Sequence, residues 1–330
     1  MFYPEGNNLP FVRQMNHLGK DRIPFFFLID FEMAKPLVLP IKDIDKEKIK
    51  YKFTEVKNYQ LHASANTPPL IFSKFPMAAD KYKKAFDYVK GELLYGNSFL
   101  TNLTFPTRIE SNYSLLQLFN KSRAKYKLYF NDEFIVFSPE TFVTINTNGV
   151  IHSFPMKGTI EAGIPDAIKM LMEDEKEIAE HYTIVDLIRN DIGIVSENVE
   201  VKKFRYLDLI TTTEKKLYQT SSTIEGKLYK NYHEHLGDIF LSLLPAGSIS
   251  GAPKKKTVEI IQKAEGEDRG YYTGIMGYYD GESVDSGVMI RYIEKRGDRL
   301  FFRSGCGITA MSDCESEYKE MIDKVYVPVG

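Results

Sequence analysis

The sequence predicts an α+β fold built on large antiparallel sheets, and three observations carry that expectation. Two hairpin signatures lie close together: YKLYFNDEFIVF turns at Asn131-Asp132, and FVTINTNGVIHSF turns at Asn148-Gly149. Helical periodicity is confined to a few separated stretches. Strands precede and follow those helices without the strand–helix alternation that a parallel sheet demands.

Taken in order, the first eighty residues have the pattern of short strands and loops. IPFFFLID and PLVLPI are β-type runs and ASANTPP is a loop, so residues 1–80 are expected to pack as a short β-rich segment on a domain spanning 81–330. KYKKAFDYVKGELLY, 81–95, places Tyr82, Phe86, Val89 and Leu93 at helical spacing, and Gly96 closes that helix. A long helix is expected over roughly 166–190, with Asp166 as N-cap and Gly193 near its end. Another begins at Pro253 and stops before Gly266. The last third adds strands YYTGIMGYYD, SGVMIRYI and RLFFRSGCGI, then a helix from about 313 to 325 with a Ser312–Glu315 capping box.

Composition narrows the function classes. With 330 residues, 43 % hydrophobic and 27 % charged, the chain is typical of a soluble globular protein. A net charge of −2 gives no reason to expect nucleic acid or an anionic membrane surface as partner. The opening MFYPEGNNLP lacks the basic and apolar regions of a signal peptide, and no apolar run is long enough to span a bilayer. The two cysteines, Cys306 and Cys314, lack zinc-ligand company. A cytoplasmic location is expected.

Four features could carry chemistry. Glu317 and Glu320 are spaced i, i+3 on the final helix, with Lys324 one turn later, and Glu177 and Glu180 repeat that spacing earlier. Converging carboxylates need a cation, and oxygen-only ligation suits Mg²⁺ shared with an anionic substrate. The loop PAGSISGAPKKK fails the P-loop pattern, because Lys254 stands third after Gly251; its small residues could instead receive a carboxylate. Gly305 and Gly307 flank Cys306 in what looks like a tight turn, and Arg291 ends an apolar strand where a guanidinium could clamp a carboxylate. These features point to a Mg²⁺-dependent site for a small, multiply carboxylated molecule. Lys157, in FPMKGTIEAG, is available to it as nucleophile or base.

The blocks EHYTIVDLIRNDIG, PAGSISGAPKKKTVEII, YYTGIMGYYD, IRYI and GCGITAMSDCESEYKE resemble, in order and spacing, the chorismate-utilising enzymes. That family includes anthranilate, aminodeoxychorismate, isochorismate and salicylate synthases. The resemblance covers about residue 80 to the C-terminus and implies antiparallel sheets packed as a sandwich with helices outside. Within the family, anthranilate synthases typically carry P-I-A-G-T and aminodeoxychorismate synthases P-I-K-G-T, and this chain has P-M-K-G-T. Isochorismate and salicylate synthases place a water-activating lysine where Leu100 stands. The resemblance is therefore strongest to aminodeoxychorismate synthase component I, with anthranilate synthase component I as the alternative.

That resemblance implies the following roles. Mg²⁺ would be held by Glu180 and Glu320 with Glu317 nearby, and Lys254, Tyr272, Arg291, Lys324 and the segment Gly305, Cys306, Gly307 would bind substrate. Glu140 would be the general acid, and Lys157 would attack C2 of chorismate before ammonia adds at C4. The nucleophile must be a neutral amine, although lysine ordinarily titrates near about 10.4; burial would lower that value and the carboxylates would raise it. Ammonia would come from a separate glutamine amidotransferase subunit. Gln219 replaces a family histidine that assists pyruvate elimination, consistent with a reaction that stops earlier. Thr141 and Phe154 stand where arginines are common, and the short N-terminal region implies no tryptophan regulation.

Overall fold

The computed structural model describes residues 9–60, 68–211 and 216–328, so most of the expected ASANTPP loop lies outside them. Two antiparallel sheets form the body, as expected. The nine-stranded sheet runs Met156–Glu161, Lys216–Leu228, Val150–Ser153, Thr141–Ile145, Val284–Val288, Ile275–Tyr279, Phe25–Ile29, Leu37–Pro40, with Ser196–Thr211 also paired to Lys216–Leu228. The eight-stranded sheet runs Gly251–Ala252, Leu100–Ser111, Arg299–Ile308, Tyr292–Arg296, Phe134–Ser138, Tyr126–Phe130, Ile49–Lys52, with Phe72–Phe75 beside Leu100–Ser111.

The strand Phe25–Ile29 explains how the layers meet. Its five residues are all buried: Phe25, Phe27 and Ile29 enter the apolar cluster under the helices. Phe26 and Leu28 enter the cluster shared with Tyr126, Leu128, Phe134 and Val136 of the second sheet. A strand covered on both faces needs a continuous apolar run rather than alternation, which is why the sequence reads FFFLI. Helices cover the outer faces, including Ala79–Leu94 and Lys254–Glu265, which agree with the sequence expectation down to Gly96 (φ 87°) and Gly266 (φ 69°) as terminators.

Four local expectations are corrected. The N-terminal region is not only strands and loops: Pro10–Lys20 is a helix burying Phe11, Val12, Met15 and Leu18, a 3.6-residue period with Pro at its start. It packs so closely on the helix Leu236–Leu243 that a Cβ on Gly237 would lie 2.3 Å from the Val12 carbonyl oxygen. The expected helix over 166–190 is two helices, Ala167–Glu173 and Glu175–Val195; Asp166 adopts φ 56° and caps nothing with its side chain. Asp174 instead starts the second helix by accepting from Glu177 N at 2.9 Å, and Gly193 lies inside that helix. The final helix, Cys314–Asp323, is capped not by a Ser312–Glu315 box but by Asp313, which accepts from Ser316 N at 3.0 Å. SGVMIRYI is not one strand, because the chain leaves the first sheet after Val288 and enters the second at Tyr292. Among the described residues no helix is long and apolar enough to cross a membrane.

The fold also fixes an acid response. His233 is buried against Tyr279 Oη (2.7 Å); burial and then Arg22 lower its pKa to about 4. A histidine titrates near about 6.5 when unfolded, so between those values the unfolded chain binds more protons. Its contribution is complete above the unfolded value and is lost as pH falls toward the folded one, by up to about 3 kcal/mol. Urea midpoints at pH 7 and pH 4.5 should therefore differ less for His233→Asn than for the parent chain. Equal differences would remove His233 from the acid response.

Candidate active site

A cavity of about 330 Å³ opens where the two sheets and the helix Glu175–Val195 meet. Glu140, Lys157, Glu180, Tyr272, Arg291, Gly305, Gly307 and Lys324 all line it, although they come from segments scattered over the chain. The lysine stretch quoted above has a structural reason for its glycine. Met156 pairs with Ser221 and Thr159 with Gln219, which leaves Lys157 and Gly158 as a register irregularity in the strand Met156–Glu161. Gly158 takes φ 83°, a value that suits glycine, and such irregularities re-aim a side chain. Lys157 Nζ thereby reaches Glu180 Oε2 at 2.6 Å, while Thr220 Oγ1 donates to the Lys157 carbonyl.

The electrostatics of this amine are decided by its neighbours. Burial works to lower the Lys157 pKa, but Glu180, then Glu177 and Glu320, outweigh it and hold the ammonium above its ordinary value. Burial pushes Glu177 and Glu317 upward. Burial also works against charge on Glu320, but Lys324, bonded to it at 2.6 Å, holds that carboxyl below its ordinary value. Glu177 Oε2 is buried and accepts no hydrogen bond. Both acidic pairs therefore act on Lys157, and one of their oxygens still lacks a partner. Oxygen donors with that shortfall suit a hard divalent cation. Glu180 borders the cavity, whereas Glu317 and Glu320 do not line it; Glu320 pairs with Lys324, which does.

The rest of the wall combines one buried carboxyl with cationic side chains and bare backbone. Glu140 sits at the head of the strand Thr141–Ile145, accepts from Ser248 Oγ at 2.7 Å, and is pushed upward by burial against the opposing pull of Ser248, Lys324 and Arg291. Arg291 occupies the crossing between sheets at φ 53°, donates to the Lys324 carbonyl at 3.1 Å and lies over the Tyr326 ring. Lys324 Nζ donates to the Gly305 carbonyl at 3.0 Å. Tyr272 is buried above Arg303, whose guanidinium carbon is 5.5 Å from its ring centroid.

Two expected substrate ligands are corrected. Lys254 does not line the cavity; its amine is taken by Asp191 Oδ2 at 2.9 Å and the Leu243 carbonyl at 2.8 Å. Gly305, Cys306 and Gly307 form no turn but belong to the strand Arg299–Ile308, paired with Thr104, Leu103 and Asn102. Strand alternation sends Cys306 to the opposite face, into an apolar cluster with Tyr82, Leu103 and Met321. Its sulfur lies within 4.8 Å of ligand oxygens of Glu317 and Glu320. A Cβ on Gly305 would meet the Leu103 carbonyl oxygen at 2.3 Å, so bare backbone is required there.

Other lining residues escaped the sequence reading. Arg303 shares the cavity face with Gly305 and Gly307, and the period-2 pattern Arg-x-Gly-x-Gly carried that signal. Ser248 belongs to PAGSISGAPKKK, whose small residues signal room for a carboxylate, and the carboxylate it meets is that of Glu140; Asn102 carries no signal of its own and presents a buried Oδ1 without a hydrogen-bond partner.

Residues 32–329 match the chorismate binding enzyme family. The chain belongs to that family. An uncharacterized PabA-like protein of Haemophilus influenzae is 50 % identical over 319 residues, covering 97 % of this chain and 96 % of its own length. Anthranilate synthase component 1 of Acetivibrio thermocellus is 34 % identical over 257 residues, 73 % of this chain but 50 % of that longer protein. Among solved structures, anthranilate synthase component I of Streptococcus pneumoniae superposes with TM-score 0.66 at 29 % identity, covering 78 % of this chain and 59 % of that one. MenF, the menaquinone-specific isochorismate synthase of Escherichia coli, shares the fold at TM-score 0.72 and 16 % identity, covering 95 % and 79 %. This chorismate-binding enzyme thus has the sandwich fold of its relatives.

Proposed function

We propose that the chain is aminodeoxychorismate synthase component I, converting chorismate and ammonia to 4-amino-4-deoxychorismate for p-aminobenzoate and folate synthesis. The observation that carries this reading is Lys157, a lysine turned into the cavity beside Glu180 where anthranilate synthases typically have alanine. Leu100 lines the same cavity and has no proton-accepting group, which weighs against water as the nucleophile.

The residues divide the work between binding and bond exchange. Arg291, Lys324 and the backbone around Gly305 and Gly307 offer positive charge and donors to the substrate carboxylates, with Tyr272 alongside. Glu140, whose pKa burial raises, protonates the departing C4 hydroxyl. The Lys157 amine attacks C2, and ammonia then adds at C4 and expels the lysine. The carboxylates Glu180 and Glu320, with Glu317 and Glu177, would hold Mg²⁺. When bound, Mg²⁺ supplies charge that neutralises a substrate carboxylate and opposes protonation of Lys157 nearby. A glutamine amidotransferase subunit would deliver ammonia.

Covalent capture tests the reading. Incubated with chorismate and Mg²⁺ but no ammonia, the chain should gain the mass of chorismate less one water on the peptide containing Lys157. Anthranilate and pyruvate on adding ammonium, without such an adduct, would favour the anthranilate synthase alternative suggested by the 34 % identical relative. Glu140→Gln should lower turnover about a hundred- to ten-thousandfold, the usual scale of a general acid, and should abolish the fall of kcat/KM at alkaline pH that loss of its proton causes. An unchanged pH profile in that variant would assign the acid elsewhere.

A further inference from the structure

The cavity extends beyond its catalytic groups. Its wall includes residues of the strand Thr141–Ile145 and the helix Glu175–Val195, and Phe142, Val143, Ile184, Ile188, Leu243 and Ile249 make up an apolar lobe of that wall. All six are buried members of one apolar cluster. Along the helix the cavity follows a single face from Glu180 to Ile192, a length of about 18 Å at 1.5 Å per residue. A single substituted six-membered ring, held by Arg291 and Lys324 at the polar end, does not fill that length.

The chemistry of the lobe restricts its occupant. Its first charged group beyond Glu180 is Asp191, and Lys254 already neutralises it at 2.9 Å. An ion in the lobe would lose hydration without gaining a partner, whereas an alkyl group would be favoured there. The lobe also adjoins the acid directly: Phe142 lies two residues after Glu140, and Ile249 follows Ser248, which bonds Glu140. Glu140 marks the end of the ring where the hydroxyl leaves and nitrogen enters.

We propose that this lobe receives the alkyl substituent of a small primary amine, so that the enzyme aminates chorismate with methylamine or ethylamine as well as with ammonia. The inference rests on the aminodeoxychorismate reading above. The step balances without an oxidant or reductant. The C4–O bond breaks and the oxygen leaves as water with the proton from Glu140. The C4–N bond forms, the amine loses one proton to restore the acid, and the lysine regains its electron pair on leaving C2. The product is an N-alkyl-4-amino-4-deoxychorismate.

The test uses the purified chain with chorismate and Mg²⁺ and compares ammonia, methylamine and ethylamine at equal concentrations of free base. Products are read by mass spectrometry. The expected result is the ammonia product and, with methylamine, a product heavier by one CH₂ group. Ile188→Phe, which fills the lobe, should cut the methylamine product at least about tenfold relative to the ammonia product, the scale of one methylene in an apolar pocket. Ile188→Ala should raise the ethylamine product relative to ammonia, and retained ammonia turnover reports folding in both variants. The ammonia product without any alkylamine product would overturn the inference while leaving the amination reading intact. A methylamine product insensitive to Ile188→Phe would move the alkyl group out of this lobe. No aminated product from any amine would fail the underlying reading itself.

Discussion

Lys157→Ala should lose amination by roughly a thousandfold or more, since the reaction would lack its covalent route. The alanine variant alone does not separate a nucleophile from an ion-pair partner, because Lys157 also holds Glu180 at 2.6 Å. Lys157→Arg separates them. An arginine can keep the charge opposite Glu180, yet it does not deprotonate near neutral pH and cannot form the adduct. Both variants should bind chorismate, keep the unfolding free energy of the parent within about 1 kcal/mol, and be equally inactive. An arginine variant with substantial turnover would reduce Lys157 to an electrostatic role.

Glu265→Ala should destabilise the fold by about 3–5 kcal/mol, the cost of leaving a buried charge without its partner. Glu265 is fully buried at the side chain and bonds Arg269 at 2.6 Å, the Thr104 amide at 2.9 Å and Thr104 Oγ1 at 3.0 Å. It also lies 3.7 Å from Arg303, which is equally buried. Without it, the buried Arg269 and the cavity-lining Arg303 would, among the described residues, have as carboxylate partner only the half-buried Glu267, which faces Arg303 at 3.3 Å. The urea midpoint should fall with an unchanged slope. A loss below about 1 kcal/mol would mean that the two arginines find other compensation and that the network is not a structural requirement. Because Arg303 supports Tyr272, the same variant should weaken chorismate binding even below its denaturation midpoint.

What was legible in the sequence follows a physical division. Features fixed by local chemistry came through: the Asn131-Asp132 and Asn148-Gly149 turns, Gly96 and Gly266 as helix ends, and the helical spacing of Glu317, Glu320 and Lys324. Motif resemblance brought Glu140, Lys157, Glu180 and Arg291 to one cavity although no local pattern links them. Features set by pairing between distant segments did not come through. Cys306 was expected in a turn with its glycines, but pairing with Leu103 makes it a strand residue and parity turns it away. Lys254 is expected to face substrate, but Asp191, on the distant helix Glu175–Val195, claims its amine. SGVMIRYI breaks at Arg291 only because the chain changes sheets there. The helix Pro10–Lys20 is a different case, since its apolar period is present in the sequence but is weaker as a signal than the β-type run that follows.

The most direct test of the central claim is to incubate the purified chain with chorismate, Mg²⁺ and ammonium and to identify the product by mass spectrometry. The account predicts 4-amino-4-deoxychorismate with the enolpyruvyl group retained, and no product after chelation with EDTA until Mg²⁺ is restored. Anthranilate together with free pyruvate would contradict it and would make the lysine in FPMKGT a misleading likeness.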